Sequence, residues 1–211
     1  MEFCSAEAEI CVQVVGTVVV IDYDAAIETY KYGITLAVYA DNWDLQDQNN
    51  AKLAEAKAAK AAHMKEKAIA MTAADPPDFT GAAAMFAEAA TFDTTDAEFG
   101  PLRCGALKEL GNAQQADGGE EDPVDLRAAV TFFAEAAAAD PADEEVVWLH
   151  VAALKEIGMG LQAGGEEVPP DFGAALGCFV EALALAPEDE ELLNLKGECE
   201  AALAPEGEAE E

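Results

Sequence analysis

Residues able to do chemistry are few in this 211-residue chain. There is one serine, Ser5, and no strand-turn-helix glycine pattern surrounds it. Two histidines, His63 and His150, lie far apart and lack the spacing of a metal-ligand pair. His150 stands beside Trp148 in an apolar run and reads as a helix-packing residue rather than a base. The acidic run DGGEED at 117–122 could attract a divalent cation weakly. It lacks the alternating oxygen ligands and terminal glutamate of a calcium loop, so loop solvation is the expected role. Gly118-Gly119 and Gly164-Gly165 lack the strand and lysine that a phosphate-binding loop needs. Cysteines 4, 11, 104, 178 and 199 form no CxxC pair and are odd in number. That points to small buried thiols in a reducing compartment, with the cytoplasm as the expected location. No cofactor and no catalytic or metal site is expected.

Charge excludes further classes. Forty-three acidic residues face 11 basic ones, a net charge of −32. Nucleic acid is a poor partner, because phosphate binding needs a basic patch. Anionic membrane surfaces are disfavoured for the same reason. The run ICVQVVGTVVVI at 10–21, with an internal Gln13, is too short to cross a bilayer, and no membrane insertion is expected. No lysine or arginine precedes Lys31, which argues against a secretory signal. Lys52, Lys57, Lys60, Lys65 and Lys67 cluster in one segment. They read first as a solvated helix face, and second as a docking strip in which Lys52, Lys60 and Lys67 would meet an acidic partner.

Repetition supplies the architecture. ALKELG at 106–111 returns as ALKEIG at 153–158. Ala82, Phe86 and Ala89 are followed by Ala129, Phe133 and Ala136, then by Ala175, Phe179 and Ala182. Pro141 and Pro187 follow the second and third blocks, and Thr94 stands where the first would have its proline. Each block opens on an aspartate and a bulky apolar residue, Asp78-Phe79, Asp125-Leu126 and Asp171-Phe172. Spacing of i, i+4 and i+7 places alanine and phenylalanine on one helical stripe. The aspartates are expected to cap, the prolines to end each helix. Gly111 and Gly158 are expected to close the partner helices in left-handed geometry. That leaves 112–124 and 159–170 as long loops, projecting Glu120, Glu121, Asp122, Glu166 and Glu167 as an acidic comb.

Ala-x-x-x-Phe-x-x-Ala-x-x-x-x-Pro after a glycine-ended helix resembles the tetratricopeptide (TPR) repeat, over roughly residues 75–203. That family has a period of about 34 residues; here successive blocks lie 46 or 47 residues apart. The resemblance implies an all-α, right-handed helix-pair solenoid and says little about the ligand. Some such proteins grip acidic chaperone tails with lysines, arginines and asparagines. Here Arg103, Lys108, Lys155 and Lys196 are flanked by Glu109, Glu144, Glu145, Glu156 and Glu198, so that clamp does not match.

Asp22-Tyr23 and Tyr30-Lys31-Tyr32-Gly33-Ile34-x-x-Ala37, with a later long helix, also resemble the microtubule-interacting-and-trafficking (MIT) domain, a three-helix bundle that recruits partners in membrane trafficking. A degenerate repeat is the other reading of the N-terminal third. Residues 10–21 alone read as a β-strand. Because the rest is helical, a first helix over 5–20 is expected, with an added strand as the alternative. About nine helices follow: 5–20, 23–40, 46–73, 78–92, 96–111, 124–139, 142–159, 170–185 and 188–202. Residues 1–75 would form an N-terminal helical region, 76–203 the repeats, and 204–211 an acidic disordered tail. The expected function is a non-enzymatic adaptor or scaffold that binds protein, with a basic partner or a place in a larger assembly. A weak cation binder or small enzyme using the acidic loops is the alternative from another class. The oligomeric state is not specified by any of these features.

Overall fold

A computed structural model of the chain describes residues 11–15, 18–116, 126–165 and 168–204. Two short strands open it, β1 (Cys11–Val15) and β2 (Val18–Asp22), followed by eight helices. These are α1 (Tyr23–Tyr39), α2 (Trp43–Thr72), α3 (Phe79–Phe92), α4 (Phe99–Ala116), α5 (Leu126–Ala139), α6 (Glu144–Ala163), α7 (Phe172–Leu185) and α8 (Glu190–Leu203). The fold class is all-α, helices stacked on helices, with one antiparallel hairpin added. The chain forms two compact units, Met1–Phe99 and Gly100–Glu211.

Over 11–15 and 18–20 the hairpin corrects the expected helix, and the rest of the expected span 5–20 lies outside the described residues. Cys11 pairs with Asp22 and Val15 with Val18, an extended register throughout. Val12, Val14, Val15, Val18, Val19, Val20 and Ile21 are all β-branched, and their restricted side chains favour the pleated backbone. Local preference prevails here over the helical character of the remainder. The helix count among the described residues is therefore eight.

Helix starts follow from capping. Asp22, Asn42, Asp78, Asp143, Asp171 and Asp189 each accept a backbone N–H from the first turn that follows. Asp125, expected to do the same, lies outside the described residues. In the first unit α2 packs against both α1 and α3. Ala26, Ile27 and Tyr30 of α1 meet Ala56 of α2, with Leu53 and Phe92 closing over them. In the second unit α5 packs on α6, α6 on α7 and α7 on α8. Its larger core joins Val151 and Leu154 of α6, Ala175, Phe179 and Ala182 of α7, and Leu192 and Cys199 of α8. The repeated phenylalanines Phe86, Phe133 and Phe179 are all at most 1% exposed, and so are the alanines at 82, 89, 129, 136, 175 and 182. Pro141 and Pro187 sit in the turns that follow α5 and α7.

Gly111 and Gly158 do not end helices. Both lie inside them, and α4 and α6 each run five residues further, to Ala116 and Ala163. A Cβ on Gly111 would stand 2.4 Å from Cε1 of Phe133, and one on Gly158 2.5 Å from Cε1 of Phe179. Glycine is present so that the ring of the following helix can lie on bare backbone. The left-handed residue that ends α6 is Gly164, with φ of 63°. The long period thus divides between extra helix and a loop, rather than falling in the loop alone.

Candidate interaction surface

Lysine pairing repeats with the helices. The Lys65 ammonium donates to Asp96 at 2.7 Å and pairs with Glu98 at 2.5 Å. Lys108 contacts Asp143 at 3.2 Å and Glu145 at 2.8 Å. Lys155 pairs with Glu191. The acceptors are equivalent by sequence: Asp96-x-Glu98, Asp143-x-Glu145 and Asp189-x-Glu191 recur at the repeat spacing. Lys108 and Lys155 are the lysines of ALKELG and ALKEIG. Lys65 is displaced by four residues from strict register, about one helical turn, which returns it to the same face. Each lysine on one helix therefore grips the start of the next helix but one.

Electrostatics at these contacts favour the charged forms. Hydrogen bonds donated to Asp96 and Glu98 raise the Lys65 pKa above its usual value, against burial. Glu145 first, then Asp143, raises that of Lys108. Lys65 holds the Asp96 carboxyl below its usual range. At Asp143 burial pushes upward, but Lys108 and the Val146 N–H outweigh it and the pKa falls. The Cys104 thiol donates to the same carboxylate at 3.6 Å, and burial followed by Asp143 pushes that thiol up to about 11. Cys104 and Cys199 are buried free thiols and Cys178 is half-buried.

The expected basic strip divides in the structure. Lys52 and Lys67 are exposed. Lys60 instead binds Asp24 at 2.6 Å and lies 4.0 Å from the centroid of the Phe92 ring. With Lys65 engaged as well, Lys60 and Lys65 hold α1, α2 and the segment after α3 together. The comb residues Glu120, Glu121, Asp122, Glu166 and Glu167 lie outside the described residues. On α4, α6 and α8, Glu109, Glu144, Glu156 and Glu190 are exposed, with no ion pair among the described residues. Trp148, 67% exposed, shares the α6 surface with Glu144 one turn before it. Pairing of the lysines was the feature that sequence reading missed. The recurring Asp-x-Glu at the helix starts was its visible signal.

One cavity of about 390 Å³ lies in the first unit, between Leu53, Lys57 and Ala58 of α2, Phe92 at the end of α3, and Asp93 and Thr95 just after it. Among the described residues no three histidine, cysteine or acidic side chains are grouped so as to hold a metal ion. No described helix is long and apolar enough to cross a membrane.

These features define stacked helices that are pinned, within each unit, by lysine-carboxylate contacts. They fit the tetratricopeptide-like resemblance of the repeat motif. No protein-family model matches the chain. No curated protein matches it either. Among solved structures, the Arabidopsis OM64 TPR domain is similar at 16% identity, over 70% of this chain and 99% of that chain, with a TM-score of 0.30.

Proposed function

We propose that the chain is a non-enzymatic adaptor or scaffold that engages a basic protein partner, alone or within a larger assembly. The observation that carries this reading is the occupation of its lysines. Lys65, Lys108 and Lys155, which could have received an acidic peptide, are each held by the chain's own carboxylates. Glu109, Glu144, Glu156 and Glu190 stay exposed, so the surface of these helices offers negative charge. A net charge of −32 adds long-range attraction for cations. In this reading Glu120, Glu121, Asp122, Glu166 and Glu167 extend the same acidic surface from the loops. Lys52, Lys60 and Lys67 are then secondary, since Lys60 already has a partner.

Affinity purification of the full chain from its native cell, with mass spectrometry, tests the reading. Retained proteins should be basic and should elute by about 0.5 M salt as charges are screened. A variant carrying E109Q, E144Q, E156Q and E190Q should retain less of them while keeping its helical circular dichroism. Retention of acidic proteins, or undiminished retention by the variant, would overturn it.

A further inference from the structure

Arg103 and His150 are equivalent positions, separated like Gly111 and Gly158. Glu135 and Glu181 are equivalent as well, two residues beyond Phe133 and Phe179. In the earlier repeat the cation is permanent: Arg103 on α4 contacts Glu135 on α5 at 3.3 Å. In the later repeat a titratable ring stands in its place. His150 on α6 is 6% exposed, and its Nε2 has no hydrogen-bond partner. The charged group that acts on it, among the described residues, is Glu181 on α7. Arg127 on α5 and Glu181 both act on the Cys178 thiol of α7, in opposite senses. His150 is followed directly by Val151, and Val151 and Leu154 join Phe179 in the core between α6 and α7.

We infer that His150 is an acid-sensitive joint, which seats α6 against α7 as a neutral ring and loosens that contact when it takes a proton. A proton placed on the buried, unpartnered Nε2 would create a charge with no hydrogen-bond acceptor in reach. Burying such a charge is costly, so the protonated ring favours states in which it reaches water. Glu181 opposes this by favouring the cation. Burial is the larger influence and lowers the pKa of His150 below 6.5. The folded value is thus depressed. Its contribution to stability is present above the unfolded value of about 6.5 and is lost as pH falls toward the folded value.

Three measurements on the full chain test the joint. Ring titration by NMR should place His150 below about 6.5 in the wild type, and E181Q should move it lower still. Amide hydrogen exchange of α6 and α7 should report an opening equilibrium that grows on acidification below that pH. The growth should approach about tenfold per pH unit, the limit for uptake of one proton. In H150F, which keeps an aromatic ring but cannot titrate, that component should vanish. Equal pH slopes in the wild type and H150F would overturn the inference. So would a ring that titrates at or above 6.5, a measurement that needs no variant and stands even if H150F fails to fold.

Discussion

Phe133 lies with Cε1 only 2.4 Å from the point where a Cβ on Gly111 would be, and Phe179 stands in the same relation to Gly158 at 2.5 Å. Both rings are fully buried, so neither can swing aside cheaply. Alanine at a helical glycine ordinarily gains about 0.5–1 kcal/mol. Here overpacking should outweigh that gain. G111A and G158A should each cost about 1–3 kcal/mol in urea unfolding. Gly105 and Gly177 are helical too, but nothing lies within 4 Å of their Cβ positions. G105A and G177A should be neutral or stabilising, by up to about 1 kcal/mol. Equal behaviour of the two sets would show that helix propensity alone governs these sites.

The rings themselves should matter more. F133A and F179A each empty a fully buried site, and should cost about 3–5 kcal/mol. Loop shortening should be mild only when it begins beyond the helix ends. Cuts within 117–125 should change the melting temperature little, since closure entropy varies slowly with length. Cuts into 112–116 or 159–163 remove turns of α4 or α6 and should lower it clearly. A thermal melt of matched deletions separates the two.

All eight helix starts fall within three residues of the expected positions. Alanine and phenylalanine at i, i+4 and i+7 leave one buried face available, and α1, α3, α6, α7 and α8 each start at a capping aspartate. Three features escaped that logic. The hairpin escaped because β-branched preference is a local effect, and its neighbours are helical. Gly111 and Gly158 escaped because a glycine near the end of an apolar stripe has two uses, a left-handed stop or a seat for a ring. The choice depends on a phenylalanine more than twenty residues away. The lysine contacts escaped because Lys108 and Asp143 meet only after the whole of α5 has folded between them.

The lysine contacts should show at both ends of the pH scale. Lys108 has its pKa raised above 10.5, so its contribution is complete below that value and is lost as pH rises through the folded value. Asp143 is lowered below 3.8, so its contribution is present above that value and is lost as pH falls through the folded one. K108M should therefore flatten stability loss above pH 10.5 and blunt part of that below 3.8. Between these limits it should cost about 0.5–1 kcal/mol, since both partners are partly solvated. A double-mutant cycle with D143N, followed by chemical unfolding at pH 7, should give a coupling of the same order. A coupling indistinguishable from zero would leave Lys108 as a solvated side chain without structural effect.

Charge that the lysines do not absorb should govern association. Once Lys108 has taken Asp143 and Glu145, and Lys155 has taken Glu191, the acids beside them stay uncompensated. Cationic proteins should then be drawn in from a distance, and the attraction should weaken as salt shortens its range. The screening length is about 10 Å at 0.1 M and about 3 Å at 1 M. Steering acts on the encounter more than on the docked complex, so its loss appears in the association rate. Changing Glu120, Glu121, Glu166 and Glu167 to Gln should slow association with the basic partner more than it speeds dissociation. Stopped-flow association across a salt series checks both points. Association that is independent of salt would remove the electrostatic account. An acidic partner whose binding is lost in K52E and K67E would move the docking site to α2 and leave the acidic surface as a solubilising feature.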